Sequence, residues 1–245
     1  MALCARRHTA VTGAVAIFVK TPGYSALKTR LAAVCGRAWA EHWYALAAAA
    51  VASVAQRACD ATGMVAYWAV AEAGAQSEWP HLPTMAQGDG TLGERMARVH
   101  TALVARHGFA LLIGADSPQL SADALIAAAR WLEIAPAIAS IPPQDSVGRF
   151  ALGPASDGGF WLFGSNRAVA ANIWTAVGYS QPHAGRDLQH AMRGLGEWHF
   201  LDPLTDVDHA DDLEVARLAL EDLADPTPAQ LALARWMREA APVFS

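Results

Sequence analysis

Short apolar runs rich in β-branched or aromatic residues recur at Ala14–Val19, Met64–Val70, Ala110–Ile113, Ala137–Ile141 and Phe160–Phe163, with alanine-rich stretches of helical spacing between the early ones. This alternation constrains the chain more than any other feature, because it predicts βαβ units and hence a mostly parallel sheet covered by helices on both faces. The longest helical stretch, Ala38–Ala58, sets Trp39, Trp43, Leu46, Ala50 and Val54 on one stripe, which reads as core packed on a sheet. Further helices are expected from Leu92 to His107 and from an N-cap at Ser121 to Glu133. The second half is punctuated differently. Pro142-Pro143, Gly153-Pro154 and the turn Asp157-Gly158-Gly159 between two short apolar runs predict a β-hairpin insertion. Two acidic helical segments, Ala210–Ala224 and Thr227–Ala240, follow, separated by Asp225-Pro226.

With 53% hydrophobic residues over 245 positions, the chain can bury a large core, and the lack of linker or repeat predicts one α/β domain spanning 1–245. Eighteen basic against 23 acidic residues leave a net charge of −5, so no basic surface for nucleic acid is expected. Arg6 and Arg7 ahead of Ala14-Val15-Ala16 look like a signal peptide, but the apolar run continues through Ile17, Phe18 and Val19 and stops at Lys20, the profile of a buried strand. No run reaches the roughly 18 apolar residues of a membrane span. Cys4, Cys35 and Cys59 are odd in number and far apart, which argues against disulfide and zinc frameworks and for a reducing cytoplasm.

Three segments carry chemistry. Lys20 and Lys28, the only lysines among 18 basic residues, fall within Lys20-Thr21-Pro22-Gly23-Tyr24-Ser25-Ala26-Leu27-Lys28-Thr29-Arg30-Leu31, which leaves the first predicted strand and enters a helix. Where arginine is the default cation, a retained ammonium suits a point-charge task such as phosphate binding, though two solvated loop lysines would look the same. Gly23, Thr29 and Arg30 supply close backbone approach, a hydroxyl and a second cation at the carboxyl end of a strand, where ligands of open α/β sheets sit. Leu27 occupies the place where the nucleoside-triphosphatase P-loop requires glycine, which disfavours that reading.

The second segment, Gly114-Ala115-Asp116-Ser117-Pro118, ends a predicted strand with one carboxylate on the same sheet edge. A divalent cation such as Mg²⁺ or Mn²⁺ is held by one or two carboxylates plus substrate phosphates, and an Asp that merely starts a turn is the alternative. In the third, Leu201–Asp212, an extended backbone would point Asp206 and Asp208 the same way to complete a metal shell, whereas Asp208, Asp211 and Asp212 would equally serve to cap the following helix. Asp157, in its glycine turn, could orient an acceptor or act as a base, or simply bond its own backbone.

In order along the chain stand Lys20, Pro22 and Lys28-Thr29-Arg30-Leu31; Gln87-Gly88 with Leu92-Gly93-Glu94-Arg95-Met96; Ile113–Pro118; Leu152–Phe160; and Asp206-Val207-Asp208 with Asp211-Asp212-Leu213. This pattern resembles the GT-A-like transferases known as radical-SAM/selenodomain-associated transferases, relatives of nucleotide-diphospho-sugar transferases. The resemblance implies a GT-A Rossmann-like fold, a nucleotide held by Lys20, Lys28, Thr29, Arg30, Gln87, Gly93 and Arg95, and a metal at Asp116 with Asp206 and Asp208. It further implies an acceptor side at Asp157, Gly158 and Gly159, with Asp116 and Asp157 as the catalytic pair. The chain departs from the pattern at Ser25, where the loop usually has glycine, and at Tyr179-Ser180-Gln181, where Trp-Ser-Thr is usual. The expected activity is metal-dependent glycosyl transfer from a nucleotide-diphospho-sugar. The alternatives are nucleotidyl transfer from an NTP with release of pyrophosphate, and nucleotide binding without catalysis.

Overall fold

β1 (Ala14–Val19) is buried on both faces and splits its side chains by strict alternation. Val15, Ile17 and Val19 enter one apolar cluster, and Ala14, Ala16 and Phe18 the opposite one. The computed structural model describes residues 12–133, 148–179 and 181–240. After β1 come α1 (Thr29–Cys35), α2 (Arg37–Thr62), β2 (Val65–Val70), β3 (Thr84–Ala86), α3 (Leu92–His107), β4 (Ala110–Gly114) and α4 (Ala122–Leu132). The second half adds β5 (Gly148–Pro154), β6 (Phe160–Ser165), α5 (Ala171–Thr175), α6 (Ala184–Ala191), β7 (Gly196–Phe200), α7 (Ala210–Glu221) and α8 (Pro228–Glu239). The predicted strand Ala137–Ile141 and Cys4 lie outside the described residues.

The seven strands form one sheet in the order β3-β2-β1-β4-β6-β5-β7. Only β6 runs against its neighbours: β1 pairs in parallel with β2 and β4, β2 with β3, and β5 with β7. The predicted hairpin is therefore β5–β6, set inside the sheet rather than beside it. Its reversal has a geometric result. Ile113 of β4 faces Leu162 of β6, so the start of β6 and the turn before it arrive at the edge where β1, β2 and β4 end. The carboxyl ends of β5 and β7 reach the same edge, and every segment singled out in the sequence converges there.

α2 packs its buried stripe, including Trp43, Ala47, Ala50, Val54 and Ala58, on one face of the sheet, joined by α4 and α8. The aromatic stripe is thus core. The other face is covered by α3, α5 and α6, where Trp174 packs edge-on against Phe163 at 5.0 Å between ring centroids. Thr91 and Glu94 form a capping box that starts α3, and Thr227 and Gln230 form another that starts α8 with Pro228 in the first turn. Gln230 also donates from Nε2 to the carbonyls of Pro118 at 2.8 Å and Leu120 at 2.9 Å, so α8 holds the turn that follows β4. No helix among the described residues is long and apolar enough to cross a membrane. Among them Cys35 and Cys59 are free thiols.

Candidate functional site

The loop between β1 and α1 begins with a turn whose central pair is Pro22-Gly23. Proline presets the first of these conformations and glycine supplies the positive φ, here 83°, that the second requires. The loop is then tied down from two sides. The Tyr44 hydroxyl of α2 accepts the Lys20 amide at 3.1 Å, and the Glu72 carboxylate after β2 accepts the Thr21 amide at 2.9 Å and the Ser25 hydroxyl. Ser25, which replaces the usual glycine, thereby anchors the loop.

The same loop ends at Lys28, whose backbone is left-handed with φ 44° and ψ 43°, a conformation that disfavours any residue with a Cβ. Its Nζ lies 2.7 Å from Asp116 Oδ2 and 2.6 Å from Asp208 Oδ1. The lysine side chain is only 6% exposed, against 30% for Asp116 and 45% for Asp208. Burial works against the ammonium charge, but the two carboxylates, Asp116 first, outweigh it and hold the Lys28 pKa above the usual lysine range. Burial likewise works to raise Asp208, and the Lys28 charge reverses this and holds it below the usual carboxylate range.

The backbone fixes this arrangement. Asp116 O accepts the Val207 amide at 3.1 Å, and Gln119 donates from Nε2 to Thr205 O at 2.7 Å, stitching the extended 201–208 segment to the turn after β4. Asp206 and Asp208 both reach the cleft, as an extended segment requires, yet their partners differ. Asp206 accepts from the buried Ser117 hydroxyl, and burial followed by the nearby Asp116 charge pushes its carboxyl above the usual carboxylate range. Asp212 accepts the Asp208 and His209 amides at 3.0 and 2.7 Å, the capping role open to it in the sequence.

These groups line a cleft of about 530 Å³ that also receives Lys20, Thr29, Arg30 and Asp157. An adjoining pocket, sharing Lys28, Asp116 and Asp208, adds Gln87 and Arg95. Gln87 spends its amide N–H groups on Val19 O at 3.3 Å and Ala69 O at 2.8 Å, and Arg95 donates from Nε to Gly90 O at 2.9 Å. At Gly93 a Cβ would stand 2.7 Å from Trp174 O, so this glycine permits α3 to pack on α5. Asp157 shares the cleft with Asp116 and also accepts the Gly159 amide at 2.8 Å. Gly158 has φ 89° and lies against the Pro182 carbonyl, where a Cβ would come within 1.8 Å, so this glycine serves a close approach of two loops. Tyr44 and Glu72, not singled out in the sequence, carried no local signal: their contacts with the loop span 24 and 51 residues.

Among the described residues no group of three or more His, Cys, Asp or Glu side chains is arranged to hold a metal ion. A hard divalent cation needs less from the protein, one or two carboxylates with water and substrate phosphates. Asp116 and Asp208, which already converge on the Lys28 ammonium as a stand-in cation, suit that smaller share.

Charged groups gathered at the carboxyl edge of an open, mostly parallel sheet define an α/β protein whose candidate site lies where ligands of such sheets bind. The family model described as uncharacterized protein conserved in bacteria (DUF2064) matches residues 45–181, and the chain belongs to that family. The matched segment contains Asp116 and Asp157, while Lys28, Asp206 and Asp208 lie outside it. Comparison with curated proteins gives no match. Among solved structures, a candidate nucleotide-diphospho-sugar transferase from Desulfovibrio desulfuricans G20 superposes with a TM-score of 0.74. It shares 22% identity over 93% of this chain and 96% of its own, a likeness of fold. More distant are a CMP:2-keto-3-deoxy-manno-octonic acid synthetase complexed with CTP, at 11% identity, 86% and 100% coverage and TM-score 0.49, and the 4-diphosphocytidyl-2C-methyl-D-erythritol synthase of Anaerococcus prevotii DSM 20548, at 8% identity, 86% and 97% coverage and TM-score 0.48.

Proposed function

We propose that this protein is a transferase that moves a glycosyl group from a nucleotide-diphospho-sugar to an acceptor, with Mg²⁺ or Mn²⁺ at Asp116 and Asp208. The observation that carries the reading is the convergence of Lys28, Asp116 and Asp208 within hydrogen-bond distance, in a cleft that also presents Lys20 and Arg30. Cations and carboxylates in one cleft match what a metal-bound diphosphate requires, because the anion needs the first and the metal the second. The fold shared with a candidate nucleotide-diphospho-sugar transferase supports the same reading.

When bound, the divalent ion supplies Lewis-acid stabilisation of the departing diphosphate. Lys28, Lys20 and Arg30 face the phosphate oxygens, and Thr29 offers a hydroxyl at the same mouth. Asp157 orients the acceptor and takes its proton. The acceptor oxygen forms a bond to the anomeric carbon, the bond from that carbon to the diphosphate oxygen breaks, and its electron pair leaves with the nucleoside diphosphate.

Incubation of the protein and divalent metal with a panel of nucleotide-sugars and NTPs tests this. Free nucleoside diphosphate supports the proposal. Release of pyrophosphate would assign nucleotidyl transfer instead, and saturable binding without turnover a binding module.

A further inference from the structure

The cleft has two chemically unlike halves, and only one is accounted for by a nucleotide diphosphate. Phe18 and Leu92 line both this cleft and the adjoining pocket of Gln87 and Arg95, whereas Met96 of α3, Phe160 at the start of β6, Tyr179 after α5 and Ala184 of α6 belong to the cleft with Asp157 and not to that pocket. Phe160 and Tyr179 meet edge to face with ring centroids 6.4 Å apart. The Tyr179 hydroxyl is already committed, since it donates to Trp174 O at 2.9 Å and leaves its ring to face a ligand.

The polar groups at this end are also engaged or acidic. Gly159 gives its amide to Asp157 and its carbonyl to Ala155. Among the described residues, what remains on this wall to face a ligand is the Asp157 carboxylate. A polyhydroxylated acceptor would find few partners for its hydroxyls here, and a phosphorylated one would bring its charge beside that carboxylate.

Resting on the transferase reading above, we infer that the acceptor is an uncharged alcohol with an apolar, ring-bearing body that packs on Met96, Phe160, Tyr179 and Ala184 and brings one hydroxyl to Asp157. It is neither a sugar nor a phosphorylated metabolite. Burial of a ring against these side chains supplies the affinity, and the single carboxylate supplies the orientation.

The test uses the whole protein with two probes, 2-naphthol as the aromatic alcohol and methyl α-glucopyranoside as the polyol, with binding followed by saturation-transfer NMR and calorimetry. Naphthol is expected to bind at one saturable site roughly tenfold or more tighter than the glucoside, as burial of a ring implies. Phe160→Ser and Tyr179→Ser, both at partly exposed positions, should each weaken it by roughly fivefold. Nucleotide affinity should be unchanged in both. Equal or better binding of the glucoside overturns the inference. So does naphthol binding that ignores both substitutions and is lost in Leu82→Asn, which would place it in the separate apolar pocket of Trp68, Trp79 and Leu82. Nucleotide titration separates the two proposals: binding of naphthol here without binding of any nucleotide refutes the transferase reading on which the acceptor role rests, whereas nucleotide binding with preference for the glucoside refutes the acceptor class alone.

Discussion

Replacing Lys28 by methionine keeps the length of the side chain and removes the charge that Asp116 and Asp208 share. At an effective dielectric near 20, each contact of 2.6 or 2.7 Å represents about 6 kcal/mol of gross Coulomb attraction, most of it offset by desolvation of the ions. Deleting one partner of a buried pair costs about 3–5 kcal/mol, because the other charge is left without a counter-ion. Here the carboxylates are 30% and 45% exposed, so water recovers part of that and the expected loss falls to about 2–3 kcal/mol. Relief of the left-handed backbone adds nothing, since methionine carries the same Cβ. The assay is urea unfolding of wild type and Lys28→Met in the presence of a chelator and then of saturating Mn²⁺. The variant should lose the stated amount under chelator and recover more of it on adding metal than the wild type gains, because the metal enters a site no longer filled by an ammonium. A variant within about 0.5 kcal/mol of wild type under chelator, the range of a neutral surface substitution, would refute the account of Lys28 as the counter-ion.

Arg30→Ala should weaken nucleotide-sugar binding by about 1.5–3 kcal/mol in calorimetry, the usual worth of a charge-assisted hydrogen bond, with the fold unchanged. In Asp116→Asn, nucleotide affinity should no longer respond to chelator, whereas the wild type responds. Gly158→Ala should lower stability by about 1–3 kcal/mol in thermal unfolding, because its Cβ would meet the Pro182 carbonyl and the φ of 89° disfavours alanine. His100 is fully buried between Phe163 and Trp174, and burial pushes its pKa down to about 3. The folded state thus binds its proton less tightly than the unfolded state, so this stabilisation is complete above the ordinary histidine pKa of about 6.5 and is lost as pH falls from there towards about 3. His100→Gln should flatten the fall in unfolding free energy in that window by up to about 1.4 kcal/mol per pH unit, one proton's worth.

The elements legible in the sequence were those with long, regular patterns. Ala14–Val19 and Leu92–His107 have the bounds that their apolar spacing gives, and Ser121 caps α4 as its position before the apolar run implies. β3 and β7 left no such trace, because three residues are too few for a period and Gly196–Phe200 lies half-exposed without alternation. α1, the helix that the lysine loop was expected to enter, begins at Thr29, but its entry from a left-handed Lys28 is a backbone conformation that no propensity predicts. At the site, strand-end logic placed the lysine loop and Asp116 on one edge. That Lys28 would contact Asp116 and Asp208 across 88 and 180 residues was not written in any spacing, since it depends on how β7 and its following segment return to that edge. Sequence reading assigned Lys28 to phosphate alone, whereas folding first gives it two carboxylates.

On the transferase reading proposed above, the single reversed strand separates inheritance of the two substrates. The nucleotide half hangs on the ends of parallel strands β1 and β4, whose register is locked by both neighbours and by the core beneath. The opposite half depends on Asp157 through Phe160 and the span around Tyr179 and Ala184, short connectors that contribute few of the buried residues under the nucleotide loop. A lineage can therefore exchange the second set and acquire a new recipient for the same donated group, leaving the machinery that grips the nucleotide untouched. Members of this family should accordingly diverge first in those connectors.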